Sequence, residues 1–285
     1  MNISGAARLA GVVGWPVAQS LSPALHSHWI AAHGIDGAYV PLPVAPEDLA
    51  RVMDGLARAG FRGVNVTVPH KEAAFALADG HDDAARMIGA VNLLVFEGAR
   101  ITGRNTDAAG LVAALVDGLG ADPVKGKAVA VWGAGGTARA AIFALAQMHA
   151  AEIRIFNRTA GRAEALAATF APAVPARLTA MGYERWRELG KDVALVVHTT
   201  SAGMKQTPSL DLPLDVLPAG AAVFDAVYNP LETGLLARAR ARGLRTVDGL
   251  GMLMHQAVPA FEAFFGIRPK VTPALRQALE KTLNA

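Results

Sequence analysis

The chain of 285 residues contains no cysteine, which excludes disulfides, thiolate metal sites and cysteine nucleophiles. It is also poor in aromatic residues (6%) and in charge (18%), against 52% apolar residues, so a substantial core can be buried. No apolar run approaches the ~20 residues that a membrane-spanning helix needs. The opening Met1-Asn-Ile-Ser-Gly lacks the basic start and longer apolar run of a secretory signal. Dense Lys/Arg blocks are missing and the net charge is only +3, so nucleic-acid binding is not indicated. The histidines show no metal-ligand spacing; His26 and His28, two apart on a helix, do not share a face. The expectation is a cytoplasmic protein, monomer or homodimer, that binds small molecules and has no membrane, nucleic-acid or metal partner.

The length suggests one large domain or, more naturally, two. The first third alternates strands and helices. Strands are expected at 10–14, 39–44, 64–68 and 90–96. One helix should open at Ser22-Pro23, with Ser22 as N-cap and proline at the first helical position, and close at Gly34. Another covers 46–60, with Leu49, Val52, Met53 and Leu56 on one face. A long helix at 106–119 leads to the turn-rich break Asp122-Pro-Val-Lys-Gly126. From Lys127 a second βαβ series begins, with strands at 128–132, 153–156, 193–198, 222–225 and 245–247. After Asp248-Gly-Leu-Gly251 the chain turns helical, to about 265 and again from 273. With no local strand to join, that segment should pack back on the first domain. The expected architecture is α/β in two domains, 1–107 completed by 250–285, and 108–249.

Three stretches carry chemistry. Gly133-Ala134-Gly135-Gly136-Thr137-Ala138 follows a strand and opens a helix, the setting in which a glycine-rich string binds a dinucleotide. Gly133 allows the tight turn, Gly135 lets backbone approach a pyrophosphate, and Ala138 takes the third glycine's place. The helix N-terminus favours the phosphates. The next strand ends in Asn157-Arg158-Thr159, with Arg162 one turn on, where NAD sites place a carboxylate for the ribose 2′-hydroxyl. Two arginines would instead attract a 2′-phosphate, so the residues point to NADP; a solvated basic helix start is the alternative. In Asn65-Val-Thr-Val-Pro-His-Lys71, valines alternate with Asn65 and Thr67, and Pro69 ends the strand just before Lys71. Such a tip can hold a polyhydroxylated anion, although an edge strand with a surface lysine fits the pattern as well. Asn105-Thr106-Asp107 is a further polar cluster. Asp107 could orient the Lys71 ammonium, which could then protonate an alkoxide as hydride arrives at a carbonyl.

With these runs in order, the chain resembles the shikimate dehydrogenase family essentially end to end. The resemblance is carried also by Ser20-Leu-Ser22-Pro-Ala-Leu-His26, Gly89-Ala-Val-Asn92, Thr199-Thr-Ser-Ala-Gly-Met204, Asp225-Ala-Val-Tyr228-Asn-Pro and Asp248-Gly-Leu-Gly-Met252 through Gln256. It implies an N-terminal substrate domain with a mainly parallel sheet and a Rossmann-like NADP-binding domain, with the site in a cleft between them. It also implies NADPH-dependent reduction of 3-dehydroshikimate to shikimate, in aromatic amino-acid (chorismate) biosynthesis. By the resemblance, Lys71 is the general acid/base and Asp107 its partner. Ser20 and Ser22 bind the substrate carboxylate, and Asn65, Thr67, Asn92, Tyr228 and Gln256 are further substrate contacts. Gly133 to Thr137, Asn157, Arg158, Thr159, Arg162, Ala226, Gly249 and Asp83 are cofactor contacts.

The sequence departs from the family pattern at Trp15, Gln19, Leu21 and His198, the last replacing a usual asparagine. These leave the proposed catalytic groups intact and bear on the fine shape of the carboxylate pocket and on nearby polar contacts. A dehydrogenase of quinate or of an aminated shikimate analogue is the rival within the family. A non-catalytic NADP-binding sensor is the rival outside it.

Overall fold

Short apolar runs between turn formers make the strands of the protein, and periodic apolar faces make its helices. The computed structural model describes residues 3–205 and 207–284. Met1 and Asn2, read above for a secretory signal, lie outside the described residues. The elements in order are Arg8–Gly14 (β1), Ser22–Ala32 (α1), Gly37–Pro43 (β2), Leu49–Arg58 (α2), Gly63–Val66 (β3), Lys71–Leu77 (α3), Gly80–His81 (β4), Asp83–Ile88 (α4), Leu93–Glu97 (β5) and Arg100–Arg104 (β6). Then come Asp107–Leu119 (α5), Ala128–Trp132 (β7), Gly136–Gln147 (α6), Glu152–Phe156 (β8), Ala160–Phe170 (α7), Arg177–Met181 (β9), Trp186–Leu189 (α8), Leu195–His198 (β10) and Ala222–Asp225 (β11). Gly234–Ala241 (α9), Arg245–Val247 (β12), Gly249–Phe265 (α10) and Pro273–Leu283 (α11) complete the chain.

Backbone contacts divide the chain into two units, residues 1–106 with 253–285, and residues 107–252. The first holds a six-stranded sheet in the order β2-β1-β3-β5-β6-β4. β1 pairs parallel with β2 and β3, and β4 with β6, while β5 runs antiparallel to both its neighbours. β3 therefore lies inside the sheet, and all four of its residues are buried. One face of this unit is aromatic. His26 and Trp29 of α1 and Tyr39 of β2 pack with Phe261 and Phe264 of α10. The terminal helices thus belong to the first unit by side-chain packing, although its strands end some 150 residues earlier in the chain.

The second unit is an all-parallel six-stranded sheet in the order β9-β8-β7-β10-β11-β12. Counted from its own first strand, this is the 3-2-1-4-5-6 order of doubly wound dinucleotide folds, whose ligands lie where the order reverses. That point is between β7 and β10, whose last residues, Trp132 and His198, are partners in register. Trp132 stacks on Tyr183 at 4.4 Å and meets Trp186 edge-on at 5.2 Å in the core beneath. Arg154 of β8, itself buried, pairs with Glu152 at 2.8 Å and Asp192 at 2.5 Å. The guanidinium holds both carboxyls below their ordinary range.

Several sequence expectations are corrected in detail. Ser22 makes no cap: the N-cap position is Leu21, without a side-chain bond, and Ser22 is already helical. The 46–60 helix begins as a 3-10 turn at Pro46–Asp48, because Pro46 supplies the first fixed φ before the helical face at Leu49, Met53 and Ala57 is buried. Val68 does not face the core. The strand stops at Val66, and Val68 is 64% exposed.

Candidate active site

Within the first unit, a seam of amides runs from β3 to α10. Tyr39 Oη donates to Asn65 Oδ1 at 2.8 Å, and Asn65 Nδ2 donates to the Asn92 carbonyl at 3.2 Å. Asn92 Nδ2 donates to Thr106 Oγ1 at 2.9 Å and to Gln256 Oε1 at 3.1 Å, while its Oδ1 accepts the Thr106 N–H at 2.8 Å. Thr106 Oγ1 donates onward to the Gln256 carbonyl at 2.8 Å. Asn65, Asn92, Thr106 and Gln256 are all buried. Buried amides must be satisfied, and here each orients the next. Three residues expected as substrate contacts, separated by up to 191 positions, are thereby brought into one hydrogen-bonded row.

Lys71 opens α3 and is half-buried. The segment leading to it is pinned on all sides. Thr67 N–H donates to Val13 O at 2.9 Å, His70 N–H to Thr67 O at 2.9 Å, His70 Nε2 to Val44 O at 2.8 Å, and Val91 N–H to Lys71 O at 2.9 Å. An ammonium at a helix N-terminus is on the wrong side of the helix dipole, so helix stability does not account for it. Ser20 and Ser22 meet at the start of α1, where Ser22 N–H donates to Ser20 Oγ at 3.3 Å. Thr67 lies beside Asn65 and its methyl packs on Gly14. Nearby, an apolar cavity of about 300 Å³ is lined by Trp15, Pro16, Val17, Ala18, Pro41 and Pro43.

In the second unit, Gly133 has φ +122°, and a Cβ there would stand 2.5 Å from Thr199 Oγ1, so its glycine is required by the chain itself. Gly135, the N-cap of α6, differs. Its φ is −103° and a Cβ would meet nothing within 4 Å. Nothing in the protein demands glycine at 135, and the open face it leaves lets a ligand reach backbone N–H groups at the helix start. At the end of β8, Asn157 Nδ2 donates to Thr159 O at 3.0 Å and shapes the turn. Arg158 and Arg162 are exposed beyond it, and neither meets a carboxylate among the described residues. Burial raises the Tyr183 phenol, and the Arg158 N–H and charge oppose that rise. The glycine turn with two uncommitted arginines fits a dinucleotide bearing a 2′-phosphate. Asp107 opens α5 and is buried; Ala226 and Tyr228 follow β11, and Gly249 packs against the Ala226 carbonyl. Asp83 opens α4 of the first unit, with a 95% exposed side chain ion-paired to Arg86.

Tyr39 and Thr106 belong to the amide row but carried no role in the sequence reading. Tyr39 sits in an ordinary-looking strand, and Thr106 stood unassigned between Asn105 and Asp107. Among the described residues no group of His, Asp and Glu is arranged to hold a metal ion, and no helix is long and apolar enough to cross a membrane.

The model for the shikimate dehydrogenase substrate binding domain matches residues 12–94, that for shikimate/quinate 5-dehydrogenase 119–204, and that for the shikimate 5′-dehydrogenase C-terminal domain 249–280. A protein of Methylobacterium radiotolerans named shikimate dehydrogenase (NADP(+)) is 54% identical over 276 residues, covering 95% of each chain. The chain belongs to the shikimate dehydrogenase family. A shikimate dehydrogenase crystallised with NADP+ has a TM-score of 0.89 at 33% identity, over 99% of this chain and 98% of that one. A quinate dehydrogenase from Corynebacterium glutamicum, in complex with NAD, has a TM-score of 0.86 at 31% identity, over 98% of this chain and 99% of that one. Ser20, Ser22, Asn65, Thr67, Lys71 and Asn92 fall in the first family segment, the glycine turn and arginines in the second, and Gly249 and Gln256 in the third. Asp107, Ala226 and Tyr228 lie between segments.

Proposed function

We propose that this chain catalyses the reversible, NADPH-dependent reduction of 3-dehydroshikimate to shikimate, in the biosynthesis of aromatic amino acids. The observation that carries the reading is the full-length match to relatives named NADP+-dependent shikimate dehydrogenase, because the residues of both half-sites fall inside it. The amide row of the first unit and the open glycine turn of the second supply the two kinds of recognition this reaction needs.

Lys71 is the acid/base. NADPH, when bound, supplies a hydride to the ketone carbon. The Lys71 ammonium gives its proton to the oxygen as negative charge develops there, and Asp107 orients the ammonium by accepting a hydrogen bond from it. Ser20 and Ser22 donate to the substrate carboxylate. Asn65, Thr67, Asn92 and Gln256 bind ring hydroxyls, with Tyr228 near the carboxylate. The turn from Gly133 to Thr137 takes the pyrophosphate. Arg158 and Arg162, with Asn157 and Thr159, take the 2′-phosphate, and Ala226 and Gly249 border the nicotinamide. Asp83, exposed on α4 and ion-paired to Arg86, is a further cofactor contact in this reading. The reading includes a cytoplasmic location and a monomer or homodimer.

A second substrate is favoured by one observation. Trp15 and Leu21 depart from the family pattern beside Ser20 and Ser22 and alter the surroundings in which quinate would place its extra hydroxyl. Absorbance at 340 nm with shikimate or quinate, each with NADP+ or NAD+, separates the readings. The proposal expects the fastest turnover with shikimate and NADP+. Preference for quinate would move the chain to the second reading, and tight NADP+ binding without any absorbance change would leave a sensor.

A further inference from the structure

At the ends of β10 and β11, beside the reversal point of the second sheet, lies a buried polar chain that the proposed mechanism does not use. His198 and Asp225, the last residues of β10 and β11, are both fully buried. His198 Nδ1 is 2.8 Å from Asp225 Oδ1, and His198 Nε2 is 2.6 Å from Thr200 Oγ1. Asp225 also accepts the Val227 N–H at 3.0 Å and the Thr233 hydroxyl at 2.6 Å. With Asp225 accepting these two bonds, a neutral imidazole carries its proton on Nδ1, facing the carboxylate, and Nε2 accepts from the Thr200 hydroxyl. Thr200 Oγ1 in turn accepts the Ala202 N–H at 3.2 Å. Every bond in the row then has a fixed direction.

The row ends against the glycine turn. Thr199 N–H and Thr199 Oγ1 each donate to the Trp132 carbonyl at 2.8 Å. The position a Cβ would take on Gly133 is 2.5 Å from Thr199 Oγ1 and 3.2 Å from the Thr200 methyl. Displacing 199–200 therefore displaces one wall of the turn. At the other end, Thr233 caps α9 and Asp225 ends β11, so the row is anchored on two rigid elements.

We propose that Asp225–His198–Thr200 is a positioning relay for the dinucleotide. Asp225 sets the imidazole tautomer, and Nε2 holds Thr200, and with it the 199–202 segment, against the glycine turn. NADP+ affinity then depends on a ring that touches no part of the substrate. The inference rests on the NADP reading above and deepens it.

Two substitutions isolate the contact. His198→Asn puts an amide near the Nδ1 position and removes the Nε2 acceptor; Thr200→Val removes the hydroxyl at nearly constant shape and, being partly exposed, is the milder change. NADP+ titration by calorimetry, with steady-state turnover of shikimate, reads both variants and the double variant. The loss of one buried hydrogen bond predicts a dissociation constant raised roughly five- to tenfold in each single variant. The double variant should be no more than about twofold worse than the worse single one, because both remove the same contact. Shikimate KM and turnover at saturating NADP+ should stay within about threefold, a split that general loss of structure does not produce. If wild type binds NADP+ and both variants bind it equally well, the relay is wrong and the nucleotide reading stands. If the two effects simply add, or fall on turnover rather than affinity, the relay is also wrong. If wild type shows no NADP+ binding, the nucleotide reading fails first and the relay falls with it.

Discussion

Acidification should destabilise the first unit through one residue, His26. Its ring is fully buried, stacked on Tyr39 at 3.9 Å and flanked by Trp29, Phe261 and Phe264. Neither ring nitrogen has a hydrogen-bond partner. Burial without a partner disfavours the imidazolium and lowers the pKa from 6.5 to about 3. The folded state keeps the ring neutral down to about pH 3, while the unfolded chain takes up a proton near pH 6.5. Stability from this group is complete above pH 6.5 and is lost as the pH falls towards 3. Between pH 7 and 5 the loss amounts to about 2 kcal/mol, rising to about 4 kcal/mol by pH 3. Glu152 and Asp192, held below their ordinary range by Arg154, add their own loss only at lower pH, so the window from 7 to 5 isolates the histidine among the shifted groups. The assay is urea unfolding at pH 7, 6 and 5, read by hydrogen-exchange labelling of peptides from α1 and β2. His26→Leu lowers stability at every pH by disturbing the stack, but it should abolish the additional 2 kcal/mol slope. Equal slopes in wild type and variant would refute the argument.

Four other expectations follow from the same geometry. Arg158→Ala should raise the NADPH KM roughly tenfold or more, by removing a charge-assisted bond, and leave NADH nearly unaffected; equal effects on both cofactors contradict the 2′-phosphate role. Tyr39→Phe leaves Asn65 Oδ1 short of a donor and should raise shikimate KM several-fold without changing NADP+ affinity, as steady-state kinetics will read. Gly133→Ala should destabilise the second unit by more than about 1 kcal/mol, being both strained and crowded, as a thermal melt will show. Gly135→Ala should leave that melt unchanged yet weaken NADP+ binding in calorimetry, because its methyl would occupy only the space kept for the ligand.

Much of this fold was legible because its local signals agree with its packing. The strands 128–132, 222–225 and 245–247 emerge with the bounds read from their apolar runs, and the glycine turn lies where strand, turn and helix succeed one another. The strands that escaped, Gly80–His81, Arg100–Arg104 and Arg177–Met181, are short or mix charge with apolar residues, and each is recruited by its neighbour. Val68 fits the alternation of its run, but Val68-Pro69 falls beyond the last ladder bond, so its side chain meets solvent. Ser22 looks like a cap by residue type; the helix starts one residue earlier in conformation, at Leu21. The site shows the same division. Asn65, Asn92 and Gln256 were named by resemblance, but their mutual bonds, and the parts played by Tyr39 and Thr106, span 14 to 164 positions and leave no local trace. His198 was visible only as a departure. Its meaning depends on Thr200, two residues on, and on Asp225, which the pairing of β10 with β11 brings to it.

The central claim turns on Lys71, and one comparison tests it: turnover of shikimate with NADP+ by wild type and Lys71→Ala, with NADPH affinity measured alongside. Loss of a positioned acid/base predicts a fall in turnover of roughly a hundredfold or more, with NADPH binding within about threefold of wild type. Turnover surviving within threefold would contradict the account, because the reaction would then run without the residue on which the proposed chemistry is built.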